Sequence, residues 1–212
     1  MIVIYGRRSG GKVDGRDGQY AITKFIHVYY LPLVPAGGFW VTSDGYGHTM
    51  KLSARSVIAG YARTWAPLLG IAGLVAIGGI AGAIVAVAGA GAAVATLAWT
   101  QLRDPAAQRR SDLSQLAFRT RCDARLLPDE LAAGMRVDAA ARWAQIAGGQ
   151  SPADVARFGT DDIDRAAAAY GLLRLTALTL PPAQAAEAER DASRIADGLH
   201  DKLLRDGGPY RG

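Results

Sequence analysis

The longest feature in the hydrophobic and polar pattern is a stretch without charged residues that runs from Thr64 to Leu102. Arg63 closes the segment before it and Arg103 opens the segment after it. As one straight helix this stretch would measure roughly 58 Å, whereas the hydrocarbon core of a bilayer is about 30 Å thick. Two crossings joined by a turn between Gly78 and Gly82 fit this thickness better. The pattern therefore predicts a transmembrane helical hairpin over residues 66–102.

The flanks of the hairpin carry the residue types that membrane interfaces prefer. Tryptophan rings favour the headgroup region, and basic residues favour the cytoplasmic side. The predicted membrane-interface residues are Arg55, Arg63, Trp65, Trp99 and Arg103. Positive charge at both ends of the hairpin predicts that both termini lie on the cytoplasmic face of a bacterial inner membrane.

Two other interpretations of the uncharged stretch are open. Residues 66–99 contain twelve alanines and seven glycines, which promote membrane insertion less than leucine or isoleucine do. The stretch could therefore form one crossing preceded by an interfacial or re-entrant segment, or a buried helix pair of a soluble protein.

Small residues recur at every fourth position in the hairpin, and we predict that they form a helix-packing ridge. Such a spacing allows two helix backbones to approach closely. The ridge comprises Gly78, Gly82, Ala86 and Ala90. It could pack the two helices of the hairpin against each other, or it could join several copies of the chain into an oligomer.

Before the hairpin, residues 1–52 alternate short β-type runs with glycines, which predicts a small β domain. The predicted strands are Ile2–Tyr5, Gln19–Val34, Phe39–Thr42 and His48–Leu52. Residues 53–65 follow as a predicted amphipathic linker helix, with Arg55 and Arg63 free to reach the lipid headgroups.

The N-terminal part also resembles a known family. The similarity lies in Gly11–Asp14, in the run from Thr23 to Pro35, with its Leu-Pro-Leu-Val-Pro phrase, and in Lys51–Val57. These residues resemble a group of uncharacterised bacterial membrane proteins, in which a short domain with such a phrase precedes membrane helices. The phrase is also similar to zinc-ribbon-like N-termini, but the paired cysteine ligands of those domains are missing here. The resemblance implies a membrane location and no particular activity.

After the hairpin, residues 103–206 have the pattern of an α-helical bundle, followed by a flexible tail over 207–212. One predicted stripe comprises Leu131, Met135, Ala139, Trp143 and Ile146, and another comprises Ala188, Ala192, Ile195, Leu199 and Leu203. Together with the N-terminal β domain and the hairpin, this predicts an α+β membrane protein.

The charge distribution agrees with a membrane protein more than with a nucleic-acid-binding one. The net charge is +5, and residues 1–63 hold eight Lys/Arg against three Asp/Glu, so the excess lies beside the hairpin. The aromatic and basic stripe of a nucleic-acid platform is not evident. The N-terminal residues lack the basic segment of a signal peptide, so we expect the hairpin to direct insertion.

Candidate chemistry is sparse in this sequence. Gly6–Lys12 matches part of a phosphate-binding loop, but Val13 stands where Ser or Thr would hold Mg²⁺, so we interpret the segment as a basic glycine-rich turn. Cys122, the only cysteine, has no histidine nearby and is expected to be a packed thiol. The three histidines are dispersed: His27, His48 and His200. The acidic cluster at Asp161–Asp164 is typical of a helix start.

The sequence therefore predicts a non-enzymatic protein with no catalytic, cofactor-binding or metal-binding residues. The leading hypothesis is an integral membrane scaffold or adaptor whose partners are the lipid bilayer and a protein or a second copy of the chain. The alternative is an oligomeric pore assembled through the glycine-rich helices. We expect no nucleic-acid partner.

Overall fold

The computed structural model describes residues 5–101 and 105–205, and the chain divides into two compact units. The first covers Met1–Asp104 and the second covers Pro105–Gly212. Within the described residues the protein has a four-stranded antiparallel sheet and seven α-helices, which confirms the α+β class. The predicted tail at 207–212 lies outside the described residues.

The first unit begins with an antiparallel meander in which neighbouring strands follow one another along the chain. The strands are β1 (Tyr5–Arg16), β2 (Gln19–Val28), β3 (Leu31–Val41) and β4 (Gly47–Met50), in the spatial order β1-β2-β3-β4. The small N-terminal sheet that the sequence predicts is therefore present.

The first two strands differ from their predicted extents. Gly6–Lys12, interpreted above as a turn, lies within β1, and its residues Gly6–Gly10 pair with β2, so that interpretation is wrong. The predicted run from Gln19 to Val34 is divided into β2 and β3 by a two-residue turn at Tyr29 and Tyr30. Most of the predicted strand Ile2–Tyr5 lies outside the described residues.

Two long helices follow the sheet in the same unit, α1 (Ala54–Ile77) and α2 (Gly79–Gln101). The Ser53 hydroxyl caps α1 by accepting a hydrogen bond from the Ser56 amide. The predicted linker helix at 53–65 is continuous with the first apolar helix, and Pro67 lies within that helix without ending it. The helices meet at Gly78 and Gly79, where both residues have a positive φ, and this confirms the predicted position of the turn.

The sheet packs against the first half of α1 at very short range. A Cβ on Gly11 would stand 1.9 Å from the Ser56 carbonyl oxygen, and one on Gly60 would stand 2.6 Å from the Phe25 ring. The Ser56 hydroxyl donates to the Gly11 carbonyl at 2.7 Å, and the Thr23 hydroxyl donates to Ser56 at 2.9 Å. Glycine at these two positions lets β1, β2 and α1 share one buried contact.

The second unit is entirely helical in the part that the structure describes. Its helices are α3 (Pro105–Phe118), α4 (Asp129–Ile146), α5 (Pro152–Phe158), α6 (Ile163–Thr179) and α7 (Pro182–Arg205), with a 3-10 turn at Ala124–Leu126. Helix α6 contacts α3, α4, α5 and α7, and its Leu175 is fully buried. The core of this unit therefore forms around α6.

The predicted apolar stripe matches the buried positions on α7, but on α4 the buried positions differ from the predicted ones. On α7 the predicted positions Ala188, Ala192, Ile195 and Leu199 are buried, and Leu203 is half-buried. On α4 the buried residues are Ala132 and Trp143, whereas Leu131 is exposed. Adjacent helical positions differ by about 100°, so a small alanine can replace a neighbouring leucine at a close helix contact.

Candidate membrane-contact surface

The hairpin of α1 and α2 exposes large apolar side chains over most of its outer face. Val75, Ile80 and Val87 are 80%, 84% and 73% exposed, respectively. Other exposed apolar residues on the same two helices are Leu68, Leu69, Ile71, Leu74, Ile77, Ile84, Val94 and Leu97. Both helices are long and apolar enough to cross a membrane. An apolar surface of this extent is typical of a contact with lipid or with another protein.

Glycines hold the two helices of the hairpin together. A Cβ on Gly89 would stand 2.4 Å from the Ala66 carbonyl oxygen, and one on Gly73 would stand 2.3 Å from Val85 Cγ1. Gly70 of α1 meets Ala86 of α2 in the same contact. Because these positions lack side chains, the helix backbones approach closely, as small residues allow in membrane helix pairs.

The observed ridge differs from the predicted one at two of four positions. Gly82 is buried against the backbone of Leu74, and Ala86 packs on Gly70, as a packing ridge within the hairpin requires. Gly78 lies in the turn with no neighbour within 4 Å of its Cβ position, and Ala90 is exposed. A strict four-residue spacing drifts around a helix with 3.6 residues per turn, so the contact shifts to Gly89.

At the base of the hairpin, Arg55 joins three elements of the first unit. Its guanidinium donates to the Asp14 carboxylate of β1 at 2.9 Å and to the Trp99 carbonyl of α2 at 2.7 Å. The same guanidinium lies 5.2 Å from the centroid of the Trp99 ring. Carbonyl groups in the last turn of a helix have no intrahelical partner, so Arg55 caps the C-terminal end of α2.

Arg63 and Trp65 also make specific contacts at this base. Arg63 donates to the Lys12 carbonyl at 3.1 Å and to the Thr100 hydroxyl. Trp65 donates its indole N–H to the Pro32 carbonyl at 3.0 Å. The expectation that Arg55 and Arg63 are free to reach headgroups is therefore wrong, because both are held by partners within the unit. The predicted interface residue Arg103 lies outside the described residues.

The turn between β2 and β3 is unusual in its residues. Tyr29 and Tyr30 have φ values of 47° and 68°, at the two central positions of a hairpin whose flanking residues Val28 and Leu31 pair. Such turns strongly favour Asn-Gly or Asp-Gly, and the turn between β1 and β2 uses Asp17 and Gly18. Aromatic residues in this backbone region are strained, and strained residues concentrate at functional sites.

Replacing Tyr29 and Tyr30 by asparagine and glycine is expected to raise the free energy of unfolding of the first unit by about 1–2 kcal/mol, because the positive φ values are then relaxed. Thermal unfolding in mild detergent, followed by tryptophan fluorescence, measures the change. The converse variant, with tyrosines at Asp17 and Gly18, should unfold at a lower temperature. Equal stability of all three proteins would contradict the assignment of strain to this turn.

The segment that matches part of a phosphate-binding loop has no phosphate cradle. Gly6–Gly10 is extended in β1 and pairs with β2, and Gly11 and Lys12 lie at a break in the pairing register, so the segment does not form a loop around an anion. The Lys12 ammonium lies 3.9 Å from the centroid of the Tyr20 ring. A loop that precedes a helix N-terminus is what phosphate binding requires, and a strand follows here.

Among the other candidate groups, two are buried and one caps a helix. Cys122 is 4% exposed, and burial, with a smaller contribution from the Asp123 charge, raises the pKa of its thiol to about 12. A thiol that stays protonated at neutral pH is a poor nucleophile. His27 is buried in β2, and Asp162 caps α6 by accepting from the Arg165 amide. The described residues include no group of three potential metal ligands.

In comparisons with known proteins, no family model, no curated protein and no solved structure matches the chain. The surface that the structure itself identifies is the apolar hairpin with the polar contacts at its base. Sequence reasoning missed the Tyr29-Tyr30 turn, although two adjacent tyrosines between two β-type runs were visible.

Proposed function

We propose that the protein is a non-enzymatic integral membrane scaffold, anchored by the hairpin of α1 and α2. The observation that carries this proposal is the exposed apolar surface of the hairpin. Burial of such a surface in lipid is favourable by about 25 cal/mol per Å² of apolar area. As a buried core pair in a soluble protein, the same helices would have these side chains covered by other parts of the chain.

The residues at the hairpin tip favour the interpretation with two full crossings and oppose the one with a re-entrant segment. Residues 77–80, Ile-Gly-Gly-Ile, have no side chain that can cap the helix ends. Helix ends leave backbone groups without intrahelical partners, and such groups are very costly in hydrocarbon. The tip should therefore reach the headgroups of the far leaflet, where water and lipid can satisfy them.

Two crossings return the chain to the side from which it entered. Gly70 meets Ala86 and Gly89, whereas Gly82 meets Leu74, so α1 and α2 run antiparallel. The end of α2 consequently lies beside the start of α1, where Arg55 joins them. In this proposal the sheet and the helical unit share the cytoplasmic face of a bacterial inner membrane, where they hold a protein partner or a second copy of the chain.

Topology is the experiment that tests the anchor. Membranes with the expressed protein are washed with alkaline carbonate, and sealed inverted vesicles are then treated with protease. We expect the protein to stay in the pellet and both termini to be digested from the cytoplasmic face. Release by carbonate would refute insertion, and termini on opposite faces would refute the hairpin.

The oligomeric pore is the second candidate, and the helix contact makes it the weaker one. Gly82 and Gly89 are used within the hairpin, so an oligomer would have to assemble through the outer face, where Gly91 has no neighbour within 4 Å of its Cβ position. Leucine at Gly82 would disturb the hairpin itself. Leucine at Gly91 is the informative variant, because it leaves the contact between the two helices intact, so a change in oligomer size would come from the outer face.

A further inference from the structure

The two arms of the hairpin differ in apolar length. From Gly79 to Trp99, α2 rises about 30 Å, which matches the hydrocarbon core. On α1 the sheet contacts the helix as far as Trp65. From Trp65 to the turn at Gly78 the helix rises only about 20 Å. If the hydrocarbon core matches the whole of α2, it must also extend about 10 Å along α1 on the N-terminal side of Trp65, where the sheet covers the helix.

The end of the sheet that lies at this level is the one formed by residues 26–34, which we call the β2–β3 end. Trp65 donates to the Pro32 carbonyl, and Tyr61 donates its hydroxyl to the Leu33 carbonyl at 2.7 Å. Nearer the N-terminal ends of β2 and α1, the Thr23 hydroxyl donates to the Ser56 hydroxyl. Strand β2 and helix α1 thus run side by side in the same direction, and the β2–β3 end points along α1 towards the hairpin tip.

The two ends of the sheet have opposite surface character. The β2–β3 end exposes Ile26, Tyr29, Tyr30, Leu33 and Val34. At the opposite end, the turn between β3 and β4 has the sequence Thr-Ser-Asp-Gly-Tyr over residues 42–46. There the Asp44 carboxylate is exposed and charged at neutral pH, and a hydrogen bond from the Thr42 hydroxyl lowers the pKa of its carboxyl further. Only the β2–β3 end has the composition of an interfacial segment.

A basic cleft of about 340 Å³ opens beside the β2–β3 end, between β1, β2 and α1. Its described lining includes Arg8, His27 and Arg63 and no carboxylate. The Arg8 guanidinium lies 5.6 Å from the centroid of the Tyr30 ring, and His27 Nδ1 is buried with no hydrogen-bond partner among the described residues. Guanidinium groups pair well with phosphate oxygens, so the cleft suits the phosphate of a lipid headgroup.

We infer that the β2–β3 end is a second membrane element, immersed in the lipid interface, with Arg8 meeting headgroup phosphate. This inference rests on the proposed anchor. An immersion of about 10 Å removes the difference between the two arms and is close to the depth that amphipathic interfacial segments reach.

Site-directed spin labelling of the full chain tests the immersion. Tyr30 is replaced by cysteine in one variant and Tyr46, the exposed tyrosine at the opposite end of the sheet, in the matched control. Cys122 stays in place because it is buried. In vesicles of equal parts phosphatidylethanolamine and phosphatidylglycerol, we expect molecular oxygen to relax the Tyr30 label more than a water-soluble nickel chelate does, and the reverse at Tyr46.

A third label, at Val87, separates this inference from the anchor. If the Val87 label reports hydrocarbon and the Tyr30 label reports water, the anchor stands and the immersion is overturned. If both labels report water, the anchor fails as well. If Tyr30 and Tyr46 labels behave alike, the two ends of the sheet do not differ and the inference is also overturned.

Replacement of Arg8 by glutamine tests the phosphate contact. Arg7, its neighbour on β1, does not line the cleft and provides the matched control. In the chain that carries the label at position 30 and keeps Arg8, we expect the label to lie deeper in vesicles that contain phosphatidylglycerol than in vesicles of phosphatidylcholine alone. Arg8→Gln should abolish that difference and Arg7→Gln should retain it. Equal effects of both variants, or none, would refute a specific role for Arg8.

Discussion

Replacement of Val87 by arginine is expected to abolish stable insertion of the hairpin. Val87 is 73% exposed and lies near the middle of α2, so in lipid its side chain would lie deep in the hydrocarbon. An arginine near the centre of a membrane helix costs about 2.5–3.5 kcal/mol on insertion scales. Carbonate extraction of membranes that express the variant measures the loss, as a shift of protein from the pellet to the supernatant.

Ile80→Arg is the matched control for this prediction. Ile80 is as exposed as Val87, but it lies beside the hairpin tip, where an arginine can extend its charge to the far headgroups. We therefore expect Ile80→Arg to remain largely in the pellet. An aqueous hairpin would tolerate arginine equally at the two exposed positions. Equal behaviour of both variants would therefore argue against lipid around α2.

Leucine at Gly89 is expected to separate the two helices. Its Cβ would stand 2.4 Å from the Ala66 carbonyl oxygen and 2.9 Å from Gly70 Cα, and both are backbone atoms that cannot move independently. Overpacking a tight contact typically costs about 1–3 kcal/mol, and a clash with backbone should lie at the upper end. Titration of the protein in mild detergent with a denaturing detergent, followed by circular dichroism, measures the change in the free energy of unfolding.

Gly91→Leu controls for every effect except the helix contact. Gly91 lies two residues further along α2, and nothing lies within 4 Å of its Cβ position. Both substitutions raise helix propensity by a similar amount, about 1 kcal/mol, so the difference between the variants isolates the packing. Gly91→Leu should be at least as stable as the parent. If it changes the oligomer size in detergent, copies of the chain meet through the outer face of the hairpin, as the pore requires.

Much of the fold was predictable because local pattern determined it. The uncharged stretch predicted two helices with a turn at the glycines, and α1 and α2 meet at Gly78 and Gly79. The amphipathic pattern of α7 predicted that Ala188, Ala192, Ile195 and Leu199 are buried, since a helix that packs on one side repeats its apolar positions every three or four residues.

The extent of β1 was not predictable from local pattern. Gly6–Lys12 has the glycines and charges of a turn, yet Gly6–Gly10 is extended because β2 supplies hydrogen-bond partners along it, and Gly11, with a positive φ, packs closely on α1. The same holds for Tyr29 and Tyr30, whose residue types oppose a tight turn. In both segments, interactions with residues distant in sequence outweigh the local preference.

The sequence by itself determined the hairpin, the N-terminal sheet and the helical second unit, because charge, periodicity and glycine positions act over neighbouring residues. Only the tertiary structure decided which glycines form the helix contact and that Arg55 and Arg63 are held by Asp14, Trp99, Lys12 and Thr100. It also showed that the apolar end of the sheet lies along α1. These features depend on distances between segments that lie far apart in the chain, which residue order alone does not specify.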